Sequence, residues 1–174
     1  ETKLAADIGC RVNKGILSDE HCATNLENVY AAGDCSESYD ITANQYRVLA
    51  LLPNAYMQGE TAGINMAGGE KSYDKAIPMD AIGFFGLHII TAGSYDGEAY
   101  VVKTDRTYKK MVSKDNLLKG FILIGDVARA GIYTSLIREK TPLDTVDYEL
   151  IRENPQLMAF TATERAVKLG GAKE

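Results

Sequence analysis

Thr24-Asn-Leu-Glu-Asn-Val-Tyr-Ala-Ala-Gly-Asp34 decides the reading of this chain. A threonine is followed by four residues, then by large apolar residues, small ones, and Gly-Asp. From Asn28 onward the pattern predicts a short buried strand that stops at a tight loop. In an open α/β sheet such a strand delivers its C-terminal end to a ligand crevice. Gly33 lets a ligand approach the backbone closely, and Asp34 offers a carboxylate to a sugar-like hydroxyl. Gly-Asp alone after a strand is an ordinary turn. The threonine at this spacing and the helix that follows favour a ligand site.

Before this stretch, Leu4 to Ile8 reads as the end of a helix stopped at Gly9. Arg11 to Gly15 reads as a turn and Ile16 to Ser18 as a short extended piece. After it, Cys35 to Tyr46 is polar and without a clear period, which predicts a long loop. Pro53 suits the first turn of a helix, where its missing amide costs nothing. Ala55, Gly59, Ala62, Gly63 and Met66 recur at helical spacing, and their small size predicts close packing on a neighbour. Gly68-Gly69 ends the helix.

A polar hinge from Gly69 to Lys75 places a domain boundary near Ala76, giving domains over 1–75 and 76–174. Met79 to Phe85 and Leu87 to Thr91 read as strands around Gly86, with a turn at Gly93 to Gly97. Ala99 to Lys103, Tyr108 to Ser113 and Leu117 to Ile124 follow as an antiparallel meander. Phe121-Ile-Leu-Ile124 is apolar on both faces and wants cover on both. Asp126 reads as the cap of a helix from about Val127 to Arg138, with Ile132, Leu136 and Ile137 on one face. Asp144 to Lys168 reads as short helices broken at Pro155. The fold class is α+β, an antiparallel meander with helices following the tail of an α/β domain.

The 174 residues are 45% hydrophobic and 25% charged, as in a soluble globular protein. A net charge of −5 argues against nucleic acid as partner, since phosphate neutralisation needs a basic face. The longest apolar runs, such as Val48 to Pro53, are far too short to cross a bilayer. Two histidines, His21 and His88, leave little material for a metal site or a Ser/His/Asp triad. Cys10, Cys22 and Cys35 form neither a CxxC pair nor a zinc motif, so reduced thiols in a cytoplasmic protein are expected. No GxGxxG or GxxxxGK[ST] string occurs, so a complete dinucleotide-binding start or P-loop is absent. The chain begins at Glu1, which fits a processed chain, an omitted start or a fragment.

Taken together, these strings resemble the C-terminal part of FAD-dependent pyridine nucleotide-disulfide oxidoreductases. The likeness is closest to the branch of NADH:rubredoxin oxidoreductases and the nitrite reductase large subunit. Cys10-Arg-Val-Asn-Lys-Gly-Ile-Leu-Ser-Asp19 is similar to the return from the NAD domain to the FAD domain. Thr24 to Asp34 is similar to the family's second FAD motif, and Leu52-Pro-Asn-Ala-Tyr-Met-Gln-Gly59 to the helix after it. Asp80 to Gly93 and Gly120 to Asp126 resemble the branch's C-terminal domain.

The resemblance implies FAD as cofactor and NAD(P)H as substrate, with Gly33, Asp34, Cys35, Leu51 and Leu52 at the flavin. Asp34 would bond the ribityl chain. The helix start at Leu51-Leu52 would point its positive end at the pyrimidine side, favouring the anionic reduced flavin. Cys35 reads as a small packed side chain or, less simply, as a redox thiol. No catalytic or metal-ligating residue stands out. The first FAD motif and the NAD(P)H glycine loop of the family are missing, so the chain reads as an inactive fragment of an enzyme. Its partners would be a redox protein such as rubredoxin and a second copy of itself. The alternative is a non-enzymatic α+β dimerisation or docking module.

A flavin site without a phosphate-binding glycine loop lacks the backbone amides that hold the pyrophosphate. The purified 174-residue chain is therefore expected to carry little or no FAD. A yellow preparation with stoichiometric flavin absorbance would refute this.

Overall fold

A computed structural model describes residues 1–170. The domain assigned from sequence to 76–174 thus ends in four residues outside the described ones. Residues 1–80 and 81–174 form two units.

In the first unit, α1 (Lys3–Asp7) ends ahead of Gly9, which has φ +98°. A three-stranded sheet follows, in the order β1 (Ile16–Leu17), β2 (Ser36–Asp40), β3 (Gln45–Val48). β1 runs parallel to β2, and β3 antiparallel. Helix α2 (Leu52–Met66) has Pro53 in its first turn.

Three expectations fail here, for one physical reason each. Cys35 to Tyr46 is a hairpin and not a loop. Ser36, Glu37, Ser38 and Asp40 of β2 are all buried, so no polar–apolar alternation marks the strand. Each has an internal partner. Glu37 Oε1 accepts the amides of Lys14 and Gly15, both at 2.8 Å. Asp40 Oδ1 accepts the Thr42 amide at 2.8 Å, and Oδ2 pairs with Arg47 at 2.6 Å.

Asn28 to Asp34 is not a buried strand. Its one ladder contact among the described residues is a bridge from Tyr30 to Ala23, and only Ala31 is buried. The stretch is one arm of a small loop closed by bonds from Thr24 N to Val29 O and Ala31 N to Cys22 O, both 2.9 Å.

The buried face of α2 is Asn54, Gln58, Thr61 and Ala62. Of the small residues read as packed, only Ala62 is buried; Gly59 and Gly63 are exposed, with nothing within 4 Å of a would-be Cβ.

The second sheet has the order β4 (Met79–Phe84), β5 (Leu87–Gly93), β8 (Leu117–Ile124), β7 (Tyr108–Lys114), β6 (Glu98–Lys103). β6, β7 and β8 are the meander, and β5 pairs antiparallel with β8. The link from β5 to β6 therefore crosses the β7–β8 hairpin. Glycines permit the crossing. A Cβ on Gly93 would stand 2.0 Å from Lys119 O, one on Gly120 2.2 Å from Ser94 O, and one on Gly97 2.5 Å from Ser113 O.

Phe121 and Leu123 of β8 are buried on one face, while Ile122 and Ile124 remain half-buried. Helix α3 (Ala130–Arg138) buries Ala130, Tyr133, Leu136 and Ile137. The Phe121 and Tyr133 rings lie 5.4 Å apart. The Tyr133 hydroxyl donates to Ile151 O at 2.9 Å in α4 (Tyr148–Glu153). Burial pushes the Tyr133 pKa up. Lys109 Nζ donates to Arg152 O and Glu153 O at 3.1 and 3.0 Å, closing the end of α4. Helix α5 (Ala162–Lys168) starts with a Thr161/Glu164 capping box.

Asp126 does not cap α3. Its Oδ1 accepts the Ala128 amide at 3.1 Å, and Arg129 takes a left-handed φ of +58° that delays the helix to Ala130. At the β4–β5 turn Phe85 is also left-handed, with φ +47°, and is 95% exposed.

The crossing sets a stability test. Gly93→Ala meets both a positive φ of +79° and a backbone oxygen, and is expected to cost roughly 3 kcal/mol or more. Gly131→Ala, in open space on α3, should be neutral or stabilise by about 0.5–1 kcal/mol. Denaturant unfolding distinguishes them, and equal effects would show that the crossing is loose.

Candidate functional site

The site grows from the turn between Ala32 and Ser36. Gly33 has φ +84°, a conformation in which glycine alone is unstrained. A Cβ there would meet Ala55 of α2 at 3.8 Å, so dihedral angle, not crowding, calls for glycine. The turn thus abuts the first turn of α2.

Both polar groups of Gly33 are held from inside. Its amide donates to Gln58 Oε1 at 2.5 Å, and its carbonyl accepts from Ser36 N at 3.0 Å and Ser36 Oγ at 2.9 Å. Asp34 is exposed, and its carboxylate has no hydrogen-bond partner among the described residues.

That first turn of α2 begins just after Leu51. Leu51 is its extended N-cap residue, with φ −136° and ψ 135°, and no side chain caps the helix. Pro53 has no amide. Those of Leu52 and Asn54 belong to the first turn, where helix amides lack intrahelical partners. Leu52 is 84% exposed and Leu51 half-buried. Cys35 is half-buried, its thiol 3.6 Å from Ala32 O. Its carbonyl accepts Ile16 N at 2.7 Å, which ties the turn to β1. Gly15 is required beside it: a Cβ would stand 2.9 Å from Cys35 O and from Val48 Cγ2. Of the five residues singled out by sequence, Gly33, Asp34 and Cys35 lie in this turn and Leu51 and Leu52 at the start of α2, and the turn meets the helix at Ala55. The corner combines a free carboxylate with a partial positive charge, and can hold a neutral polyol next to an electron-rich ring.

Gln58 was not singled out as a functional residue. It is 1% exposed, accepts also from Ser36 Oγ at 3.2 Å, and donates through Nε2 to Ser38 Oγ. The one signal for it was its place, four residues after Asn54 and three before Thr61, on a polar stripe continued by Asn65. Asn54 Nδ2 donates to Ile77 O at 3.0 Å and its Oδ1 accepts from Tyr73. Asn65 bonds His21 O at 2.9 Å and Lys71 O at 2.8 Å.

Residues 1–59 match the sequence profile of the pyridine nucleotide-disulphide oxidoreductases. Residues 78–141 match that of the rubredoxin NAD+ reductase C-terminal domain. The first match likens the N-terminal third to the pyridine nucleotide-disulphide oxidoreductases, and the second likens residues 78–141 to the C-terminal domain of the rubredoxin reductases.

It is 34% identical over 139 residues to the NADH-dependent phenylglyoxylate dehydrogenase subunit epsilon of Aromatoleum evansii, across 75% of this chain and 33% of that one. Over 149 residues it is 28% identical to a nitrite reductase [NAD(P)H] of Bacillus subtilis, across 82% of this chain and 18% of that one. The crystal structure of NADH:rubredoxin oxidoreductase from Clostridium acetobutylicum superimposes with a TM-score of 0.63 at 26% identity, over 84% of this chain and 38% of that one. The chain thus spans a third or less of the length of these curated relatives.

The cysteines separate by burial. Burial pushes the Cys22 thiol up to about 11, so at pH 8 about one molecule in a thousand carries the thiolate there. Iodoacetamide at pH 8 is expected to modify half-buried Cys35 first and to leave Cys22 intact until the chain unfolds. Peptide mapping over time checks this; Cys22 labelled as fast as Cys35 would contradict the packing around it.

Proposed function

We propose that this chain supplies one wall of the flavin site and the C-terminal domain of an FAD-dependent NAD(P)H oxidoreductase. The observation that carries this reading is the exposed, unpartnered Asp34 carboxylate together with the uncapped start of α2, on a chain that matches this family's profile. Bound at this wall, FAD would supply hydride acceptance from NAD(P)H and onward transfer of the electrons to an acceptor.

The residues here bind and orient. Asp34 accepts hydrogen bonds from the ribityl hydroxyls. The amides at the start of α2 face the pyrimidine edge, where their partial positive charge stabilises negative charge. Leu51 and Leu52 flank that edge, and Cys35 fills space beside it. Gly33 contributes its conformation and not its amide, which is already engaged by Gln58.

The rubredoxin-reductase likeness of the second unit supports a redox protein such as rubredoxin as electron acceptor, with residues from about 76 onward forming the docking or subunit-contact domain. Ile82, Phe84 and Phe85 are exposed on β4 and its turn, which supports self-association. The three free cysteines fit a cytoplasmic setting. No helix among the described residues is long and apolar enough to cross a membrane.

Replacing Asp34 with Ala in the flavin-loaded, full-length protein removes a charge-assisted hydrogen bond worth ~1.5–3 kcal/mol, a loss of roughly ten- to a hundred-fold in affinity. Flavin retention after dialysis, with the dissociation constant from fluorescence, is the measurement. Wild-type retention would reduce Asp34 to a turn residue.

A further inference from the structure

We propose that Gln58 is a positioning residue of the flavin site, acting through the backbone of Gly33; this rests on the flavin reading of Asp34. Gln58 is buried, and its side chain bonds the turn and β2. Its Oε1 accepts the Gly33 amide at 2.5 Å and Ser36 Oγ at 3.2 Å. Its Nε2 donates to Ser38 Oγ, which fixes the orientation of the amide. The Gly33 carbonyl is bound in turn by Ser36. With both polar groups of Gly33 satisfied inward, the left-handed turn has one orientation, and in it the next side chain, Asp34, faces solvent.

The same helix carries both halves of the site. Leu51 and Leu52 at its start set where its amides point, and Gln58, less than two turns on, sets where Asp34 stands. The Gln58 bond therefore fixes the distance between the carboxylate and the helix start, which must match one ligand. A leucine would fill the same space but leave the half-buried Gly33 amide without its acceptor, at a cost in free energy.

The test compares three variants with two readouts. The first readout is hydrogen exchange of the Gly33 amide, followed by NMR in the chain itself. The second is the flavin dissociation constant of the flavin-loaded, full-length protein, measured well below the unfolding temperature. Gln58→Leu is expected to speed Gly33 exchange and to weaken flavin binding about tenfold or more.

Gln58→Glu keeps an acceptor for the Gly33 amide and for Ser36, and Ser38 can donate to it. It should restore protection and stay within roughly threefold of wild-type affinity. Asn65→Leu removes half-buried bonds on the same stripe, to His21 O and Lys71. It should lose stability but keep both readouts.

A Gly33 amide that exchanges freely in the wild-type chain would overturn the proposal without any flavin present. So would Gln58→Leu binding flavin as tightly as Asn65→Leu. If Asp34→Ala also left flavin affinity unchanged, the flavin reading itself would fall, while Gly33 exchange would still report on the Gln58 bond.

Discussion

The turn at Gly33 has to hold a left-handed backbone at the point where one arm of a loop ends and β2 begins. Gly33 is half-buried, and its amide and carbonyl each find an internal partner. Gln58 supplies one and Ser36 the other. Much of the first unit follows from meeting that demand. The helix must present a polar face inward, β2 must present serines toward it, and the apolar residues must pack elsewhere. One apolar cluster, Leu49, Tyr73 and Ala76 with Met57 against it, lies by the stripe's first member, since Tyr73 also bonds Asn54.

This inversion explains what was legible in the sequence. Helix ends marked by Gly9, Pro53 and Gly68-Gly69 read correctly, because conformational preference at Gly and Pro is local. The strands of the second sheet read correctly too, because Phe121 and Leu123 against Lys109, Lys110 and Asp115 give composition enough contrast. The hairpin at 36–48 did not. A strand whose buried residues are Ser, Glu, Ser and Asp looks like a loop until their partners are known, and those partners come from 14–15, 47 and 58. Burial of polar groups is decided by hydrogen bonds across the fold, which no window of sequence displays.

The site was legible in a different way. Gly33, Asp34 and the start of α2 were picked out as candidates by a pattern in sequence order, and the structure sets the Gly33 turn against Ala55 of α2. Gln58 escaped because its importance lies in what it bonds, and a glutamine on a helix is ordinarily a surface residue. The helix at 130–138 shows the converse error. Asp126 looks like an N-cap, yet the left-handed Arg129 moves the start by three residues, a backbone choice that a side-chain pattern does not encode.

The β5–β6 connection carries a consequence for how this domain tolerates change. Gly93 and Ala99 sit in one row of the sheet, separated by Gly120 and Val112. Three strand spacings amount to roughly 14 Å, and the link must also climb over the hairpin between them. Six residue steps at most cover about 20 Å, so little slack remains. Most surface loops accept deletions as readily as insertions. This one spans most of its reach: residues can be added to it freely, whereas each one removed takes about 3.5 Å from a slack of only a few ångströms.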